Sequence, residues 1–210
     1  MRIGVSRAVA TWIVVLLLSG CSAYRAYYDI GLAAVERPAQ ASEKYGKHEI
    51  TKVEEQGPDI SYYDDNVVRI VWTPTPTSIS FELTNKTSNA IKIVWDEAAF
   101  MDENGQRHRV KHSSIDYEDI DGPHPATVID GNGTIKDYVF PAGNIYYSDA
   151  RWQEKPLFPT VSVFNTGNRL EEEVNECMGK TFQVLIPIEI EETVHRYVFT
   201  FVVSNAEVRK

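Results

Sequence analysis

From residue 50 onward, apolar and polar positions alternate with a period of two, the signature of half-buried strands. In residues 67–72, Val68, Ile70 and Trp72 alternate with Val67, Arg69 and Val71. In residues 78–85, Ile79, Phe81 and Leu83 point one way, and Ser80, Glu82 and Thr84 the other. Ile91, Ile93 and Trp95 form a third set. Turn-forming clusters separate them: Thr73-Pro74-Thr75-Pro76, residues 85–89, Asp102-Glu103-Asn104-Gly105 and Asp130-Gly131-Asn132-Gly133. The C-terminal part reads as a hairpin. Phe182, Val184, Ile186, Ile188 and Ile190 line one arm, and Tyr197, Phe199, Phe201 and Val203 the other, with the turn near Glu191-Glu192-Thr193. Pro187 lacks a ladder donor and predicts an edge strand or a bulge in the first arm. A single helix is expected in this body, over residues 169–178, ended by Gly179. Short strands at this spacing predict an all-β fold, a sandwich or barrel.

The N-terminus obeys a different pattern. Arg2 and Arg7 precede a mostly apolar run from Ala8 to Leu18. Eleven residues are too few to span about 30 Å of hydrocarbon as a helix, but suit the core of an export signal. Small residues follow, Ser19 and Gly20, and then Cys21. Leu18-Ser19-Gly20-Cys21 resembles the lipobox of bacterial lipoproteins. The resemblance implies cleavage between Gly20 and Cys21 and a diacylglyceryl group on the Cys21 thiol. It also implies that Ser22, in place of an aspartate, favours the outer membrane in a Gram-negative cell. The expected division is therefore a signal peptide over 1–20, a lipidated tether over 21–49 and a β-domain over 50–210. Within the tether, residues 23–35 could form a short helix stopped by Pro38, or a first strand or helix packed on the domain through Tyr24, Tyr27, Tyr28 and Leu32.

A second resemblance concerns the body. Residues 80–86 (Ser-Phe-Glu-Leu-Thr-Asn-Lys), then Ile91-Lys92-Ile93, and later Phe100 with Asp102-Glu103-Asn104-Gly105, are similar to the immunoglobulin-like antiparallel β-sandwiches of bacterial lipoproteins. In those domains a Leu-x-Asn step leads through a short polar turn into the next strand. The resemblance spans about residues 67–140. It implies a fold, and no catalytic or binding residues.

Composition narrows the partners. A net charge of −9, made more acidic once Arg2 and Arg7 are cleaved away, repels nucleic-acid phosphates and argues against attachment through a basic patch. The two cysteines are Cys21 and Cys177. With Cys21 lipidated, Cys177 has no partner within the chain and reads as a buried thiol.

Candidate chemistry is sparse. No nucleophile elbow, zinc-protease helix, P-loop or dinucleotide fingerprint occurs, so neither an enzyme nor a cofactor is expected. His108 and His112 alternate on a strand, about 13 Å apart at ~3.3 Å per residue, too far for one zinc, and no metal site is expected. Arg107, Arg109 and Lys111 would form a basic ridge on the opposite face. The acidic loop 116–122 misses the calcium-loop pattern, because Tyr117 and Val128 fall where ligands are required. Cys177 follows an acidic run, which opposes thiolate formation. Tyr146, Tyr147 and Trp152 are the candidate ligand-binding residues, as a stacking platform for a glycan or peptide. The expected function is a non-enzymatic, lipid-anchored interaction or structural module of the cell envelope. The alternative is a protein that binds a glycan or peptidoglycan fragment. The partners are then the membrane at Cys21 and an envelope protein or glycan.

Overall fold

The computed structural model describes residues 23–38, 45–53, 60–162 and 167–210. The leader, Gly20 and Cys21 lie outside the described residues. The alternating segments form an antiparallel sandwich of two sheets. One sheet is a meander of β2 (Glu49–Val53), β3 (Ile60–Asp64), β4 (Val68–Pro74) and β5 (Ile79–Asn85), extended by β11 (Thr134–Pro141) and β9 (Val110–Lys111). The other is built on β15 (Thr181–Ile190) and β16 (Thr193–Arg209). On one side of that pair lie β6 (Ile91–Ile93) and then β10 (Thr127–Ile129); on the other lie β1 (Tyr24–Glu36) and β14 (Val161–Ser162). β7 (Ala99–Met101) also pairs with β15, and β8 (Arg107–His108) with β7. The helix α1 (Gly167–Asn175) packs against β16 and β1. β12 (Ile145–Ser148) and β13 (Arg151–Glu154) form a two-stranded sheet of their own.

The inner faces meet in one apolar core. Trp72 of the first sheet packs 4.9 Å from Phe199 and 5.2 Å from Phe201 of the second, centroid to centroid. Trp72, Leu83, Ile93, Ile186 and Phe201 are fully buried. These are the positions that the period-two pattern assigns inward, and burial of each large side chain contributes about 1.5–3 kcal/mol.

Three expectations are corrected. Tyr24–Glu36 is neither helix nor spacer but a strand joined to β16 through eleven residue pairs, from Arg25↔Arg209 to Glu36↔Val198. Pro187 lies in an interior strand whose register with β16 is unbroken. Its carbonyl accepts from Val94, where the neighbouring strand is interrupted between β6 and β7. A strand residue presents N and C=O to the same neighbour, so the missing donor faces that interruption. The basic ridge is absent, because the chain changes sheets at Arg109. β8 belongs to one sheet and β9 to the other, and both Lys111 and His112 are buried.

Two buried polar groups hold the sheets in register. Asn85 ends β5, and its Nδ2 donates to the carbonyls of Asn89 (2.8 Å), Ile129 (3.2 Å) and Asp130 (3.0 Å). Its Oδ1 accepts from the Thr87 amide and hydroxyl. This is the Asn of the Leu-x-Asn step, and it links the β5 turn to β10 of the opposite sheet. Asp65 is the second group. Its Oδ1 accepts from the amides of Val67 and Val68, and its Oδ2 from Tyr63 (2.8 Å) and, at 3.5 Å, from Tyr197 of β16. The Arg37 guanidinium, just past β1, lies 3.7 Å from the same oxygen. Burial, and then the Asp65 carboxylate, push the Tyr63 and Tyr197 hydroxyls well above their ordinary range.

Asp65→Ala strips the Tyr63 hydroxyl and the Val67 and Val68 amides of their shared buried acceptor. Equilibrium urea unfolding is expected to show a loss of about 3–5 kcal/mol, whereas a change within ~0.5 kcal/mol would assign Asp65 no structural weight.

Candidate functional site

The β12–β13 hairpin stands apart from both sheets and carries the three aromatic residues singled out in the sequence. Its pairing places Tyr147 opposite Trp152, and Tyr146 opposite Gln153. Successive strand residues face opposite ways. Tyr147 and Trp152 therefore share one face, and Tyr146 lies on the other. The three rings do not form one platform. The hairpin turns at Asp149 and Ala150, with φ of 53° and 59°. This is a left-handed turn without glycine, which costs about 1–2 kcal/mol per residue.

The Tyr147 face continues into the body through a residue that sequence reading left in the acidic loop. Tyr117 stacks on Trp152, with centroids 5.9 Å apart and planes 15° apart. Tyr147 meets Trp152 edge-on at 5.4 Å. The Trp152 indole N–H donates to Glu118 Oε1 (2.9 Å), and the Tyr117 hydroxyl to Glu154 Oε1 (3.0 Å). Beneath Tyr117, the Lys111 ammonium sits 4.9 Å from its ring centroid and bonds the Tyr138 hydroxyl. Cation, Tyr117 ring, indole and Tyr147 thus form one continuous stack. Tyr117 covers one face of Trp152, while Tyr147 is 62% exposed and Tyr146 47%. The stack braces the hairpin and leaves Tyr147 outermost on its face.

A cleft of ≈ 210 Å³ lies nearby, floored by Phe100, Leu157, Phe158 and Phe182. Asp102 and His108 stand at its edge, with Oδ2 and Nε2 3.1 Å apart. Burial raises the Asp102 carboxyl, but hydrogen bonds from His108 and the amides of Gln106 and Asn104 outweigh it and hold the group below its ordinary value. Among the described residues that line the cleft there is no Ser, Thr or Cys. Asp102 closes the 102–106 turn.

His112 and His124 lie deeper. His112 stacks on Trp95 at 4.0 Å and meets His124 edge-on at 5.6 Å. Its Nδ1 is 3.6 Å from Asp137 Oδ2, beyond hydrogen-bond range. Burial raises the Asp137 carboxyl; His112 and the Ser113 and Tyr138 amides outweigh it and lower the group. Among the described residues, no group of three or more His, Cys, Asp or Glu is placed to hold a metal ion. The acidic loop is engaged by Arg109, whose guanidinium donates to the carbonyls of Asp121 and Gly122. Cys177 is buried and within reach of the Glu173 carbonyl. Burial is the main cause raising its thiol pKa, with Glu103 and Glu176 adding to it.

No protein-family model matches the sequence, and no curated protein and no solved structure matches it.

His124 couples this region to pH. Its Nε2 lies 3.1 Å from the Ile120 carbonyl, so that nitrogen carries the proton, and the buried Nδ1 has no hydrogen-bond partner. Burial, first of all, lowers its pKa below 6.5. As pH falls below about 6.5 the unfolded chain takes up a proton that the folded chain refuses. Stability is thus full above that pH and declines beneath it. Urea midpoints measured from about pH 7.5 down to about pH 5, spanning the His range, are expected to fall, with a shallower decline in His124→Gln. An unchanged slope in that variant would contradict the assignment.

Proposed function

We propose that the chain is a lipid-anchored envelope lipoprotein whose β-sandwich serves as a non-enzymatic interaction or structural module. The reading rests on the leader pattern and Leu18-Ser19-Gly20-Cys21, with which the described elements are compatible. β1 starts at Tyr24, three residues after Cys21. Cleavage before Cys21 therefore removes no described element of the sandwich, and an acyl chain at that position leaves every described strand in place. A soluble body anchored by lipid requires no spanning helix, and none of the described helices is long and apolar enough to cross a membrane. A single acyl chain binds a bilayer only marginally, whereas two or more on one residue hold firmly.

The β12–β13 hairpin supplies the surface with which such a module would meet an envelope partner. It projects outside both sheets, and its outermost ring on the stacked face, Tyr147, is solvent-exposed. The saccharide alternative called for Tyr146, Tyr147 and Trp152 to act together. Their division between two faces favours recognition by a protein partner over stacking of a sugar.

Expression of the full chain in a bacterial host tests the anchoring. The mature form is expected to sediment with membranes and to show the mass of a diacylated N-terminal cysteine. Cys21→Ser is expected to retain the uncleaved leader or lose the acyl mass. A wild-type chain cut elsewhere, or carrying an unmodified Cys21, would refute the proposal.

A further inference from the structure

The lipid anchor and the sheet leave almost no slack between them. Only Ser22 and Ala23 separate Cys21 from β1. Three residue steps reach at most about 11 Å at ~3.6 Å each, so an acylated Cys21 holds the start of β1 within that distance of the headgroups. What lies there differs from the rest of this acidic protein. Arg25 of β1 is directly opposite Arg209 of β16 on one side and Val161 of β14 on the other. All three side chains share the outer face of the sheet, and all are exposed. Two like charges in opposed positions repel each other. Arg209 is partly offset by Glu207, with which it pairs, and its guanidinium lies 4.7 Å from the Tyr27 ring centroid. Lys210 lies 6.0 Å from the Tyr24 ring centroid. Tyr27 and Val161 are 43% and 49% exposed. Cations beside tyrosines, together with an exposed aliphatic residue, are the composition that favours a water–bilayer interface.

We propose that this end of the sheet (Tyr24, Arg25, Tyr27, Val161, Arg209 and Lys210) is seated on the phospholipid headgroup layer that holds Cys21. Phosphates relieve the Arg25–Arg209 repulsion, and Tyr27 and Val161 enter the interface. The sandwich then stands at a fixed orientation on the membrane instead of swinging on a tether. The assignment rests on the lipidation proposed above.

The test uses the lipidated full chain in vesicles of phosphatidylethanolamine and phosphatidylglycerol, with acylation confirmed by intact mass. A nitroxide is attached at Val161→Cys or, as a control, at Val128→Cys, which is exposed on β10 at the far edge of the same sheet. Cys177 is buried and Cys21 is blocked by lipid, so neither competes for the label. Collision with a water-soluble nickel chelate is compared with that in solution for the same labelled chain lacking the leader and Cys21. Accessibility at 161 is expected to fall several-fold on vesicles and to stay unchanged at 128. Combining Arg25→Glu with Arg209→Glu is expected to restore accessibility at 161 while the chain remains vesicle-bound. An acylated chain whose position 161 stays as open as 128 would overturn the docking and leave the anchor intact. Protection at 161 that disappears on dilution over excess vesicles would mean that a second copy covers the surface, and would also overturn it. An unacylated mature chain would overturn both proposals.

Discussion

The antiparallel ladder between β1 and β16 is the constraint on which the rest depends. It makes the segment nearest Cys21 one of the longest strands of the fold, and it runs to Glu36. Just beyond it, Arg37 reaches the buried Asp65 carboxylate, which Tyr63 and Tyr197 also address. The first strand, the meander sheet and the long C-terminal strand are thus tied together at one buried acid. Such a site specifies register strongly, because losing any partner leaves a polar group dry.

The alternation that made the sandwich legible also explains what was missed. β4, β5 and the middle of β16 alternate cleanly, and their inward sets lie in the core. β1 does not. Tyr24, Ala26 and Tyr28 turn toward the core, but register shifts between Asp29 and Ile30 and between Leu32 and Ala34 break the phase. Ile30, Gly31 and Leu32 are then buried consecutively, and a period-two reading cannot follow a strand through two bulges. The same cause operated at residues 107–112. A face assignment assumes one strand in one sheet, and the chain changes sheets at Arg109. Asn85 was legible only as part of a sequence step; its role as a clasp between sheets depends on carbonyls 44 and 45 residues away.

Tyr146, Tyr147 and Trp152 lie on one hairpin that the sequence did not predict, and the alternation along its strands divides them between faces. Tyr117 was hidden in an acidic stretch that reads as solvated loop. It contributes the ring that braces Trp152 and covers one of its faces, and no local pattern signals a contact between residues 35 apart. The buried His112–His124 pair escaped the strand argument for the same reason, since both side chains arrive from segments that the sheet crossing brings together.

The anchoring proposed at Cys21 and the recognition proposed at the exposed hairpin would act as one device only if the first strand is rigidly part of the body. Hydrogen exchange resolved along the mature chain measures this most directly. Amides within residues 25–36 are expected to be protected together with their partners in residues 198–209, and to open with them in one cooperative unit. Exchange of the first strand at free-chain rates, with the remainder of the sandwich still protected, would contradict the account.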